Sequence, residues 1–172
     1  MTEHAPIPDA RATDEADAPG AQREARDLEL LVRIAGLQRR FLLAFLANIC
    51  VGLASIAIVG EVPAVVLFVL ALAVKAVAAY FLWQLALLLH GPAIASLATV
   101  VFVAPTALGL VAPALAGPAG LCALLAIALV IRSASKSLSR AGVAVGLLGA
   151  SPALVPAAFR AKLAADRARA PG

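Results

Sequence analysis

Apolar residues run almost unbroken across positions 41–131, and the formal charges inside that stretch are Glu61 and Lys75. A helix at the surface of a water-soluble domain shows an apolar stripe and a polar face at helical spacing. In this stretch no face is polar. The pattern predicts an all-α integral membrane protein, with four transmembrane helices folded as two hairpins. Turn residues set the expected divisions. Glu61-Val62-Pro63 closes a first span over about 41–60, and His90-Gly91-Pro92 closes a second over about 64–89. A third span over about 93–115 carries Pro105 and Pro113, with Thr106 and Ser96 placed to repair backbone bonding near the prolines. Ala-Gly-Pro-Ala-Gly at 116–120 is the expected tight turn before a fourth span over about 118–138.

The flanks read differently. Residues 1–25 hold Pro6, Pro8, Pro19 and Gly20 among acids, with few large apolar residues, and are expected to be a disordered acidic tail. A secretory signal is not expected, because the apolar run begins only at position 41. Over 26–40, Leu28, Leu31, Val32, Ala35 and Leu37 fall at roughly helical spacing, and Arg26, Asp27, Glu29, Arg33 and Gln38 take the other sides. This predicts an amphipathic juxtamembrane helix at the bilayer surface, with Gly36 as a bend before the four-span domain at 41–140. Residues 141–172 form a cytoplasmic tail. Its glycines and prolines predict a compact loop folded back on the bilayer, followed by a short basic helix over about 157–170.

Composition strengthens the membrane reading. Of 172 residues, 63% are hydrophobic and 14% charged, against roughly 45–50% and about 25% in ordinary globular proteins. Mean hydropathy is +0.98. The net charge of +4 is accounted for by where the basic residues fall. Arg33, Arg39 and Arg40 precede the spans and Arg132, Lys136 and Arg140 follow them, whereas the turns around Glu61 and Pro118 hold no basic residue. The positive-inside rule then places both termini in the cytoplasm of a multi-pass inner-membrane protein. The Ala-, Arg- and Gly-heavy composition is the kind found in GC-rich bacterial genomes, and the layout of four spans with a Gly-rich cytoplasmic tail resembles that of many small bacterial membrane proteins.

Candidate chemistry is sparse. Cys50 and Cys122 each sit singly in an apolar run, as small packing residues, and no Cys/His cluster suggests a metal. Gly142, Gly146 and Gly149 lack the Lys-Ser/Thr of a phosphate loop, and no aromatic-basic interleaving suggests nucleic acid. No nucleophile–base pair is visible, so neither an enzyme nor a cofactor is expected. Lys75 is the exception to the apolar pattern. A lysine near the bilayer centre costs roughly 2.5–3.5 kcal/mol, so it needs a reason: snorkelling or structural pairing on one side, a functional contact on the other. Ala44, Asn48 and Gly52 share one face of the first span, which lets another helix approach. Lys75, Asn48 and Gln84 are the candidate intramembrane polar contacts. Arg39, Arg40, Arg132, Lys136 and Arg140 are the candidate contacts to anionic lipid headgroups, their long stems able to snorkel. The expected role is a non-enzymatic membrane subunit, scaffold or envelope factor, whose partners are the anionic bilayer and a second copy or another membrane protein. A small transporter or channel lined by Lys75 and the Pro-kinked third helix is the alternative.

Overall fold

The computed structural model describes residues 11–57, 61–146 and 148–169, with side chains from position 22 onward except at a few helical positions. It is built from five helices: α1 Arg11–Ala57, α2 Glu61–His90, α3 Pro92–Val111, α4 Pro113–Arg140 and α5 Val155–Arg169. Four of them contain segments long and apolar enough to cross a bilayer: Gln22–Ala54, Val65–His90, Pro92–Gly109 and Gly117–Arg140. Successive helices make the main contacts, α1 on α2, α2 on α3 and α3 on α4, with lighter contacts from α4 to α1 and α2 and from α5 to α1.

The turns show how local chemistry ends each helix. Gly91 adopts φ +84° with ψ 178° and its N–H bonds the Leu87 carbonyl at 3.1 Å, a positive-φ turn open to glycine at little cost. Pro92 then starts α3, where a missing N–H costs nothing. The α3–α4 connection lies earlier than the sequence pattern places it. Helix α3 stops at Val111, Ala112 is the linking residue, and Pro113 opens α4. Residues 116–120, expected as the turn, lie within α4, and Pro118 is inside that helix. The physical reason is that a residue before proline is pushed out of the α region, which acts at Ala112. Past it, the backbone goes on bonding within the helix, and Gly117 and Gly120 do not break it. Pro113 therefore belongs to the start of α4, and Pro105 is the proline inside α3.

Helix α1 also differs. It starts at Arg11, inside the segment read as an unstructured tail, and residues 1–10 of that tail lie outside the described residues. Residues 26–40 are not a separate element. At 47 residues α1 is about 70 Å long, more than twice the ~30 Å hydrocarbon thickness. Its buried stripe is Leu31, Ile34, Ala35, Gln38 and Phe41, at helical spacing but rotated from the expected one. Gln38, placed on the polar side by sequence, is 1% exposed. The stripe is spent on protein rather than on a membrane surface, and Gly36 lies within the helix, beside Pro152.

The segment after α4 comes against part of that stripe, at Gln38 and beside Gly36. Gly142, at φ +80°, closes α4 in a double cap: its N–H bonds Ser139 at 2.9 Å and the Val143 N–H reaches back to Leu138 at 3.0 Å. Val143 and Leu138 are both buried, the apolar contact that accompanies such a cap. Gly149, at φ +84°, lies against α1; a Cβ there would sit 3.4 Å from Gln38 Cγ and 3.5 Å from the Arg39 nitrogen. Gly149→Val should therefore loosen the segment from α1 by about 2 kcal/mol, the scale of forcing a β-carbon into left-handed backbone. Trypsin cleavage at Arg160 and Lys162 should then be faster than in wild type. Gly120→Val, where a Cβ meets nothing within 4 Å, is the control. Equal cleavage of the two variants would show that the segment is not held on α1.

Large apolar side chains of the four helices point outward: Leu53, Val65, Leu97, Val100, Leu125 and Leu129 are each more than 60% exposed. Alanine is the commonest buried residue where helices meet, at Ala78, Ala79, Ala86, Ala95, Ala98, Ala123 and Ala134. Small residues let helix backbones approach closely, the usual packing of helices whose outer faces meet lipid.

Candidate functional site

The charge inside the apolar zone does not stand free. Lys75 on α2 is half-buried and its Nζ donates a hydrogen bond to Thr106 Oγ1 on α3. The same ammonium lies 5.5 Å from the centroid of the Phe102 ring, one turn earlier on α3. A cation over an aromatic face is stabilised by about 0.5–2 kcal/mol, more as it is desolvated. Phe102 is held in turn by Phe41 on α1, edge to face at 6.3 Å, and Phe41 stacks on Phe45 at 5.9 Å. A chain of aromatic rings from α1 thus supports the surface on which Lys75 rests. The lysine reaches sideways to α3. Thr106, expected to repair the backbone beside Pro105, is used by Lys75, whereas Ser96 does bond the Pro92 carbonyl, at 2.9 Å.

Three clefts meet at Lys75. One, of about 200 Å³, is lined by Asn48 and Gly52 of α1, Phe68, Leu72 and Lys75 of α2, and Thr106 of α3. A second, of about 450 Å³, opens between α2 and α3 past Ala76, Ala79 and Val103. A third, of the same volume, passes Asn48, Pro105 and Gly120 on the side of α4. Asn48 and Lys75 line the first and third of these clefts together. Among the described residues, Lys75 has no carboxylate in contact; the Glu61 side chain lies outside them.

Gln84 is placed elsewhere. It lines a cavity of about 420 Å³ with Arg33 and Arg40 of α1, Tyr80 of α2 and Pro152 of the segment after α4. That cavity sits where the basic residues gather. Gln38 Nε2 donates to Ser135 Oγ at 3.0 Å, which levels α1 with α4 and brings Arg39 and Arg40 to the same end of the molecule as Arg132, Lys136 and Arg140. All five are exposed. Arg33 and Gln38 were not singled out as site residues from sequence, because both their contacts depend on residues far along the chain.

Cys50 and Cys122, expected to pack, are exposed and unbonded to each other; Cys122 edges an apolar groove of about 580 Å³ between α3 and α4, with Leu97, Leu125 and Leu129. Their small side chains sit on outward faces rather than between helices. Among the described residues, no group of His, Cys, Asp and Glu is placed to hold a metal ion. No protein family, no curated protein and no solved structure matches this chain, so its reading rests on its own residues.

Proposed function

We propose that this chain is a multi-pass inner-membrane protein, both termini cytoplasmic, that acts as a non-enzymatic subunit of a membrane assembly. Its four apolar helices form two hairpins in this reading. The observation that carries it is Lys75. The ammonium lies within a helix of the apolar zone with a hydroxyl and an aromatic face as its partners. Those neutral groups solvate the charge without cancelling it. A carboxylate on a neighbouring protein's span would cancel it, and the clefts beside Lys75 give such a group access. Purification of the tagged chain in mild detergent should recover a second membrane protein bearing an acidic residue within a span. Recovery of this chain without any companion would count against the subunit reading.

Orientation is tested separately. With the native cysteines replaced by serine, Ala112→Cys should react with a membrane-impermeant maleimide from the periplasmic side, and Lys162→Cys only after the cytoplasmic side is opened. The reverse pattern would overturn the proposed topology. Placing the probe at Ala112 matters, because residues 116–120 are helical.

A small transporter remains the second reading, favoured by the meeting of three clefts at one cation. A fixed ammonium without a buried carboxylate selects anions, so uptake of small organic anions into reconstituted liposomes is the measurement. Absence of flux across a broad panel of them would remove it.

A further inference from the structure

The cavity at the basic end draws its lining from distant parts of the chain. We propose that it holds the headgroup phosphate of one anionic phospholipid. Three separate parts of the chain form it: α1 supplies Arg33 and Arg40, α2 supplies Tyr80 and Gln84, and Pro152, on the segment after α4, closes one wall beside Gly36. Arg33 and Arg40 are seven residues apart on one helix, so they lie on one face about 10 Å apart along the axis. That separation exceeds the depth of one headgroup layer, about 5–8 Å, and the long arginine stems can close the difference. Arg40 immediately precedes the apolar run that starts at Phe41, so the pair spans the interface from its hydrocarbon edge outward.

The chemistry of the lining is one-sided. Two guanidiniums, an amide and a phenol all offer hydrogen-bond donors, and no Asp or Glu lines the cavity. Neither arginine has a carboxylate within 4 Å among the described residues. Guanidinium binds phosphate with two parallel N–H bonds. The remaining wall is Val32, Leu37 and Phe81, and an apolar wall suits the glycerol and upper acyl carbons of a lipid, not a free ion. Basic pockets on the cytoplasmic side of helix bundles take such headgroups, and about 420 Å³ is within the usual range for ligand sites.

The site does not require the subunit reading, but it does require membrane insertion. Flotation of the wild-type chain with neutral phosphatidylcholine vesicles checks insertion independently. The test is native mass spectrometry of the full chain in mild detergent, titrated with phosphatidylglycerol, phosphatidylcholine or inorganic phosphate. Phosphatidylglycerol should bind at one copy per chain and phosphatidylcholine more weakly. Arg33→Ala with Arg40→Ala should weaken the lipid about tenfold, the effect of losing one or two hydrogen bonds to a charged group. Gln84→Ala should weaken it less. Arg132→Ala with Arg140→Ala removes the same charge outside the cavity and should leave the one-to-one complex intact. Equal losses in the two double variants would reduce the site to diffuse surface charge and overturn the proposal. Equal binding of phosphatidylcholine would do the same, as would displacement of the lipid by inorganic phosphate at matched concentration. The conservative pair Arg33→Lys and Arg40→Lys, which keeps charge and stem but loses the bidentate fork, should bind with intermediate strength; binding as weak as the alanine pair, alongside a loss of helix content in both, would assign those residues to folding instead.

Discussion

Lys75→Leu should make the isolated chain more stable and the assembled one less so. Leucine removes an insertion cost of roughly 2.5–3.5 kcal/mol. It also removes the bond to Thr106, with about 0.6–1.7 kcal/mol typical between membrane helices, and the contact over Phe102, with about 0.5–1 kcal/mol or somewhat more. The difference favours the variant by about 1 kcal/mol on the isolated chain, read as a higher midpoint of unfolding in a graded mixture of mild and denaturing detergent. In the proposed assembly the balance reverses. The partner's carboxylate loses its counter-charge, and stranding one member of a buried pair costs about 3–5 kcal/mol. Co-purification should fall to background. A less stable isolated chain would identify Lys75 as a structural residue held by α3, and an unchanged yield of partner would remove it from the interface. Thr106→Val separates the two contributions, because it deletes the hydroxyl acceptor while the charge and the aromatic face stay.

Phe41→Ala should be the most damaging single truncation in the chain itself. Phe41 is 0% exposed, stacks on Phe45 and meets Phe102 edge to face, so its removal opens a hole under the ring on which Lys75 rests. Phenylalanine truncations in packed cores cost about 3–5 kcal/mol. In the proposed bilayer setting lipid tails are as apolar as the lost ring, so the transfer part is small and the low end, about 3 kcal/mol, is expected. The same detergent titration measures it. Phe68→Ala is the comparison: Phe68 is 51% exposed on an outward face, and its loss should change stability by less than about 0.5 kcal/mol. Equal effects at the two positions would mean that α1, α2 and α3 do not pack through the aromatic chain seen here.

Several elements were readable from residue order because their causes are local. The caps at Gly91 and Gly142 follow from glycine's freedom at positive φ, and the start of α3 follows from Pro92. Proline was the less reliable marker. Pro113 and Pro118 are chemically alike, and both precede or follow small residues. Whether a proline starts a helix or sits inside one depends on whether the backbone beside it has another helix to pack on, and that is not written next to it. The same limit applies to glycine at 117 and 120. The buried stripe of α1 was read with a small rotational error for a related reason. Gln38 is polar by composition, but Ser135, 97 positions later, supplies its partner.

The candidate site divides in the same way. That one lysine within an apolar run needs an explanation could be seen in the order of residues. Its explanation could not, because Thr106 and Phe102 come to Lys75 only when α3 lies against α2. Asn48 shares two clefts with Lys75; Gln84, nine positions along the same helix, lines a cavity with the arginines instead, since two and a half helical turns carry it to a different level of the molecule. Residue order was sufficient for what depends on averages over a segment: helical class, the four apolar lengths, the charge asymmetry between ends. Transfer free energies sum along a chain regardless of how it packs. Which side chains meet is set by the registration of one helix on another, a balance of many weak contacts between distant positions, and it was the packed arrangement that settled the Lys75 contacts, the position of the α3–α4 turn and the cavity walled by Arg33, Gln84 and Pro152.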